Sequence, residues 1–252
     1  MAEESPVKSL AKALSVLECF SVEQPELGIS EISRTLGLQK STVHNIVSTF
    51  QKCGYLIQNP ENSKYALGLK VLHLSYIVSS HHGLRDLFLP YLTRIARETR
   101  EVCYFGILDE REVLYIEAVY PYMHQQTRNI LGERAPLFCT GLGKAMLAHM
   151  PESEIDAVLA SPMRAFTGFT VTDAAALRQQ LEEVRTNGYA VDNMEHEFGI
   201  RCVAVPVFAT GGQVLAAVSV SGPSPRFDPE TIIRHACLIT EVLQPLQYQL
   251  NK

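Results

Sequence analysis

Three stretches in the second half of the 252-residue chain place small and polar residues where packing alone would favour bulk. Thr140-Gly141-Leu142-Gly143-Lys144 opens an apolar helical run. A glycine-bearing helix start offers backbone N–H groups and the positive end of the helix dipole to an anion, especially a carboxylate. A tight turn that needs glycine gives the same pattern, and the spacing is not that of a phosphate-cradling GxxxxGK[ST] loop. The run from Gly188 to Cys202 carries Asp192, Glu195, His196 and Arg201 directly ahead of an apolar strand. Ser219 and Ser221 lie two apart, so a strand turns both hydroxyls to one face. Each has a plainer reading: the serines as ordinary strand residues, and Cys202 as a small buried hydrophobe rather than a nucleophile.

A different chemistry is written near the N-terminus. From Lys40 to Lys52, Val43, Ile46, Val47 and Phe50 fall at i, i+3, i+4, i+7 and predict a helix with one buried stripe. The opposite face shows Ser41, Thr42, Asn45, Ser48, Thr49 and Lys52: small hydrogen-bonding groups and no acid. Such a face suits a DNA major groove, where short side chains let the backbone approach and Asn can pair bidentately with adenine. A solvated face of an ordinary amphipathic helix pair is the bland alternative.

The elements that must position these residues follow from local signals. Ser30 reads as the cap of a preceding helix carrying Ile32 and Leu36, with Gly37 as its left-handed stop. An earlier helix over Val7–Phe20, with Val7, Leu10, Leu14 and Leu17 on one face, would complete a three-helix core. Tyr55–Gln58 and Lys64–Leu67, separated by Asn59-Pro60-Glu61-Asn62-Ser63, read as a hairpin with Lys64 at its tip, able to reach a phosphate. Gly68–Val78 and Leu84–Thr99 follow as apolar helices, and the domain boundary falls between about Ser79 and Gly83. Beyond it come the hairpin Val102–Leu108/Val113–Val119, a short strand within Gln125–Leu131, the helix starting at Gly141, and a helix after Pro151. A further helix runs from an Asp173 cap to a Gly188 stop, and strands Cys202–Phe208 and Val214–Ser221 precede a last helix from Asp228-Pro229. Hairpins segregated from helices predict an α+β domain with an antiparallel sheet.

Composition narrows the class. Hydrophobic content of 46% and charged content of 19% describe an ordinary globular protein, and no apolar run reaches the ~18–20 residues of a membrane helix. The start MAEESPVKSLAKAL lacks a secretory h-region, so the expected place is cytoplasmic. Six cysteines without a CxxC pair predict mostly buried free thiols, and eight histidines lack ligand spacing, so no metal site is expected unless distant residues such as His124 converge. The net charge of −5 is unevenly spread: residues 1–70 hold seven basic and seven acidic side chains, the remainder fifteen and twenty. Between Ile32 and Lys52 stand Arg34, Lys40 and Lys52 with no acid, a modest basic face that would rely on dimerisation.

The run KSTVHNIVSTFQKCGYL followed by YALGLKVLHL resembles the N-terminal half of IclR-type bacterial transcriptional regulators. The later order TGxGKA, GxxxDxxExxxxxxCxA, SxSGP is similar to the same family's effector domain, so the resemblance extends from about Val7 to Gln244. One departure is Ala209, where the family usually has Asp or Asn; the position is expected to close a turn. The resemblance implies a winged helix-turn-helix DNA-binding domain over residues 1–69 and a linker helix over 70–83. It further implies a GAF/profilin-like antiparallel sheet domain flanked by helices, for effector binding and oligomerisation, over 84–252. DNA contacts would come from Arg34, Lys40, Ser41, Thr42, His44, Asn45, Ser48 and Lys64, on a pseudo-palindromic operator read by a homodimer or dimer of dimers. A small organic acid or sugar acid would be held by Gly141, Leu142, Asp192, Cys202, Ser219 and Ser221, with Glu195 and Arg201 as supporting or ion-pair residues. No cofactor, catalytic residue or metal is implied, and repression of a catabolic operon is the commoner mode in the family. Two other functions compete: a hydrolase or transferase using Cys202 with His196 and Asp192, and a DNA-binding protein whose second domain only oligomerises.

Overall fold

The computed structural model of the chain describes residues 6–81, 83–121 and 130–250. The chain divides into two compact units, Met1–His82 and Gly83–Lys252.

The first unit packs three helices, α1 (Lys8–Leu17), α2 (Ile29–Leu36) and α3 (Lys40–Lys52), against a two-stranded wing, β1 (Leu56–Gln58) and β2 (Tyr65–Leu67). Val16, Leu27, Ile32, Val43, Val47, Leu56 and Tyr65 form the core. Of the expected face of α1 only Leu17 packs inward: Val7, Leu10 and Leu14 are 54%, 56% and 48% exposed, while Val16 is fully buried. Two stripes of this helix are apolar, and only the one through Val16, flanked by Leu17, Cys19 and Phe20, faces the other helices. The cap of α2 also differs from expectation. Gly28, not Ser30, is the N-cap, and the Glu31 carboxylate reaches back to accept the Gly28 N–H at 2.7 Å. Gly37 ends α2 in the left-handed region (φ 63°), which a side chain would strain.

The wing is tied down at its turn. Asn59 and Asn62 donate their side-chain amides to the two oxygens of Glu26 at 3.0 and 2.8 Å. Their own carbonyl oxygens accept the Glu61 and Lys64 N–H groups. Helix α4 (Lys70–His81) follows, with Leu72, Tyr76 and Val78 exposed.

The second unit begins with α5 (Gly83–Thr99) and the hairpin β3 (Val102–Asp109) and β4 (Glu112–Val119), followed by an edge strand β5 (Arg134–Pro136). Next come α6 (Gly141–Leu147), α7 (Glu152–Leu159) and α8 (Ala174–Asn187). The short strand β6 (Ala190–Asn193) leads into the long hairpin β7 (Ile200–Phe208) and β8 (Val214–Pro223), and α9 (Pro229–Leu250) closes the unit. The sheet is antiparallel throughout, in the order β5-β4-β3-β8-β7-β6. Residues 125–129 of the expected strand within Gln125–Leu131 lie outside the described residues, and Ile130 and Leu131 are not in a strand.

Strand alternation sorts the sheet into two faces. Cys103, Phe105, Val203, Val205, Val218 and Val220 pack beneath Phe88 and Leu92 of α5 and Ile239 and Val242 of α9, with Phe88 and Phe105 stacked at 4.2 Å. Ala204 and Ala217 turn the other way, against Leu142 and Ala145 of α6 and Leu177 and Leu181 of α8. Past β6, the outer edge of β7 is covered by a side chain: Gln247 of α9 accepts the Phe208 N–H at 3.0 Å and donates to its carbonyl at 2.5 Å. Ala209 closes the β7–β8 turn as expected, its N–H on Gln213 and its carbonyl taking Gly212.

Candidate functional site

The three polar stretches converge. Thr140 caps α6, its hydroxyl oxygen accepting the Gly143 N–H at 3.0 Å while donating to the Pro136 carbonyl at 2.9 Å. The Thr140 carbonyl takes the Lys144 N–H. The N–H groups of Gly141 and Leu142, at the helix start, have no intrahelical carbonyl to bond. Gly143 is sterically required, and Gly141 sits in a tight contact. A Cβ on Gly143 would sit 2.5 Å from the Leu137 backbone, and one on Gly141 would meet the Cβ atoms of Cys202 and Ala204 at 3.3 and 3.4 Å. The helix start is thus pressed onto β7 beside Cys202.

A cavity of about 320 Å³ opens there, and Gly141, Leu142, Asp192, Cys202, Ser219 and Ser221 all line it. Cys202 pairs with Ser221 across β7 and β8 in register, and its thiol hydrogen-bonds the Ser221 hydroxyl. Asp192 is opposite Cys202 on β6 and is 4% exposed. Its Oδ1 accepts the N–H groups of Glu195 (2.7 Å) and His196 (3.4 Å). Burial pushes its carboxyl up to about 7, against the opposing pull of those two N–H groups and of Lys144.

The cavity has walls that the motifs do not disclose. Tyr104 of β3 and Tyr115 of β4, edge to face at 5.8 Å, line it with Tyr120, Ile130, Glu133, His196 and Glu197. Burial raises both tyrosine hydroxyls. Period-2 alternation set Tyr104 apart from Cys103 and Phe105, which was the available signal.

The motif lysine does not line the cavity. Lys144 is buried, donating to Glu195 and, at 3.0 Å, to Gln180 of α8. The Glu195 carbonyl in turn takes the Thr167 and Thr170 hydroxyls. Glu195 is therefore the ion-pair residue expected, whereas Arg201 binds the Asn193 amide oxygen (2.6 Å) and the Phe227 carbonyl (3.0 Å) and no carboxylate. Among the described residues no three His, Cys, Asp or Glu side chains converge as a metal cage; His124 lies outside them. Burial, with the Asp192 charge, pushes the Cys202 thiol up, the reverse of what activates a thiol nucleophile. Not all cysteines are buried as expected: Cys103 and Cys139 are, while Cys53 and Cys237 are exposed.

In the first unit, α3 buries Val43 and Val47 and exposes Lys40, Ser41, Thr42, His44 and Asn45, with Ser48 half-buried. The Thr49 hydroxyl turns back on the Asn45 carbonyl at 2.8 Å. Arg34 is exposed on α2. Lys64 departs from its expected place. It stands at the β2 side of the wing turn, not at the tip, and its ammonium is paired with Glu31 at 3.0 Å. No helix among the described residues is long and apolar enough to cross a membrane.

Known proteins share this architecture. The family description "IclR helix-turn-helix domain" matches residues 9–60, and "Bacterial transcriptional regulator IclR C-terminal" matches residues 76–244. The HTH-type transcriptional regulator XynR of Escherichia coli K12 is 38% identical over 223 residues, 88% of each chain. The IclR transcriptional regulator of Alicyclobacillus acidocaldarius superposes with a TM-score of 0.84 at 25% identity, covering 98% of this chain and all of that one (100%). An IclR homolog of Microbacterium hydrocarbonoxydans complexed with 4-hydroxybenzoate gives 0.74 at 28% identity, over 94% and 99%. A helix-turn-helix followed by a helix-flanked antiparallel sheet, with matches spanning both units, places the chain in the IclR family of DNA-binding bacterial transcriptional regulators, which are not enzymes.

Proposed function

We propose that this regulator is a repressor of a catabolic operon, released or retained on its operator by a small organic acid or sugar acid held in the cavity at the start of α6. The observation that carries the reading is the convergence of Gly141, Leu142, Asp192, Cys202, Ser219 and Ser221 on one cavity wall, from three stretches far apart in sequence. The Gly141 and Leu142 N–H groups with the Ser219 and Ser221 hydroxyls take the carboxylate, and the tyrosines pack its carbon skeleton. The protein works in the cytoplasm without a cofactor.

On DNA, α3 enters the major groove, with Lys40, Ser41, Thr42, His44, Asn45 and Ser48 toward bases and phosphates and Arg34 on the backbone. Lys64 holds the wing against α2 and meets phosphate only by leaving Glu31. The working unit is a homodimer or dimer of dimers on a pseudo-palindrome; the exposed apolar residues Val7, just before α1, Leu10 and Leu14 of α1, and Leu72 and Tyr76 of α4 support self-association.

Fluorescence anisotropy on duplex DNA from upstream of the protein's own gene, at two salt concentrations and with a panel of small acids, tests this. Tight, salt-sensitive binding altered by one acid is the expected result. Binding no better than to a scrambled duplex would end the operator reading. DNA binding that no acid alters, with no acid raising the melting temperature, would leave a second domain that only oligomerises.

A further inference from the structure

Resting on the small-acid reading just given, we infer that Asp192 meets the ligand carboxylate as a neutral carboxylic acid, donating a hydrogen bond from Oδ2, so that an anion binding where Asp192 is ionised brings one proton into the cavity. The geometry comes first. Oδ1 is committed to the Glu195 and His196 N–H groups, leaving Oδ2 as the atom that can meet a ligand on the wall it shares with Ser219 and Ser221. Among the described residues the cavity wall holds no lysine or arginine, while Glu133 and Glu197 add further acids to it.

The basic groups nearby are spent elsewhere. Lys144 of α6 faces Asp192 but is bound to Glu195 and Gln180, and Arg201 of β7 is bound to Asn193 and Phe227. From β7 the Cys202 thiol faces the carboxyl, and from β4 the Tyr115 hydroxyl; neither carries a positive charge. A carboxylate anion entering beside an ionised Asp192 would place two negative charges together in a half-closed cavity, which one proton removes. The group is already poised to hold that proton near neutrality, with burial as the first cause.

The balance is simple: where Asp192 is ionised before binding, a proton enters with the anion, and where it is already neutral the anion enters alone; either way the proton sits on Asp192 between its Oδ2 and the ligand oxygen. Affinity therefore falls as pH rises through 7, and between pH 6 and pH 8 the dissociation constant rises about tenfold. His196 on the same wall could give a slope of the same sign, so it needs its own control.

The full-length protein is titrated with benzoate, 4-hydroxybenzoate, lactate and gluconate at pH 6 and pH 8, read by melting temperature and by calorimetry in two buffers of different ionisation enthalpy. Expected are a tenfold weaker constant at pH 8 and net proton uptake near pH 7. His196→Gln should keep the slope. Asp192→Asn, whose amide donates where the acid did, should bind equally at both pH values. Equal wild-type affinity at pH 6 and 8, no proton uptake, or a slope lost with His196→Gln would each overturn the inference while leaving the small-acid site standing. No shift from any acid at either pH would overturn the small-acid reading, and this inference with it.

Discussion

Lys144 and Glu195 form an ion pair with side chains 2% exposed on each partner, and such pairs are asymmetric in their energetics. Removing one partner strands a charge where water cannot reach it; removing both, with apolar replacements of like volume, need not cost much. Lys144→Met or Glu195→Leu alone should destabilise the second unit by about 3–5 kcal/mol, and the double variant by far less than the sum. Denaturant midpoints of the four proteins check this. Asp192 makes a pH-dependent contribution. Its carboxyl is raised from 3.8 to about 7 in the folded state, so the stability it contributes is fully present below about 3.8 and is lost as pH climbs through 7. Asp192→Asn should therefore melt progressively higher relative to wild type from pH 5 to pH 8, by a difference on the order of a few kcal/mol; a constant offset would contradict it. Residue identities near the cavity were legible where geometry is encoded in glycine or in hydroxyl spacing, as at Gly141 and Ser219. Tyr104 and Tyr115 were not, because a strand alone does not say which of its faces meets a helix and which meets a ligand.

Helix ends with a side-chain or glycine signature follow the local rules. Asp173 caps α8 by accepting the Ala176 N–H at 2.8 Å, and Gly188 ends that helix with φ 79°. Asp173→Ala should cost about 1 kcal/mol, visible as a lower thermal midpoint with ligand affinity unchanged. Signals that depend on tertiary partners were harder. Glu31 caps α2 from inside the helix, and its reach back to Gly28 was masked by Ser30, a better cap by type but two residues too late. On α1 two apolar stripes compete, and only packing against α2 and α3 chooses Val16. The strands β5 and β6 are three and four residues long, and they contain Pro136 or Asp192 and Asn193. Their pairing comes from β4 and β7, not from intrinsic preference. The wing was visible as a turn-rich break, but the Glu26 clamp on Asn59 and Asn62 spans more than thirty residues of chain and no local pattern announces it.

At the scale of the molecule, charge is divided between tasks. The acids are concentrated after residue 70, while Arg34, Lys40 and Lys52 stand in the acid-free run of the first unit that is proposed to face DNA. Arg34→Ala should weaken operator and scrambled DNA alike and reduce the slope of log affinity against log salt by about 1 per half-site contacted, whereas Asn45→Ala should change sequence preference more than slope. Anisotropy over a salt series separates the two. The sheet of the second unit carries a further consequence. Beyond β6, the rim of β7 offers no free ladder: Pro206 has no N–H to give, and the Gln247 amide occupies both backbone groups of Phe208. An incoming chain therefore finds no template along that stretch of rim, where a strand laid beside β7 would have to displace the Gln247 amide and would still lack a donor at Pro206.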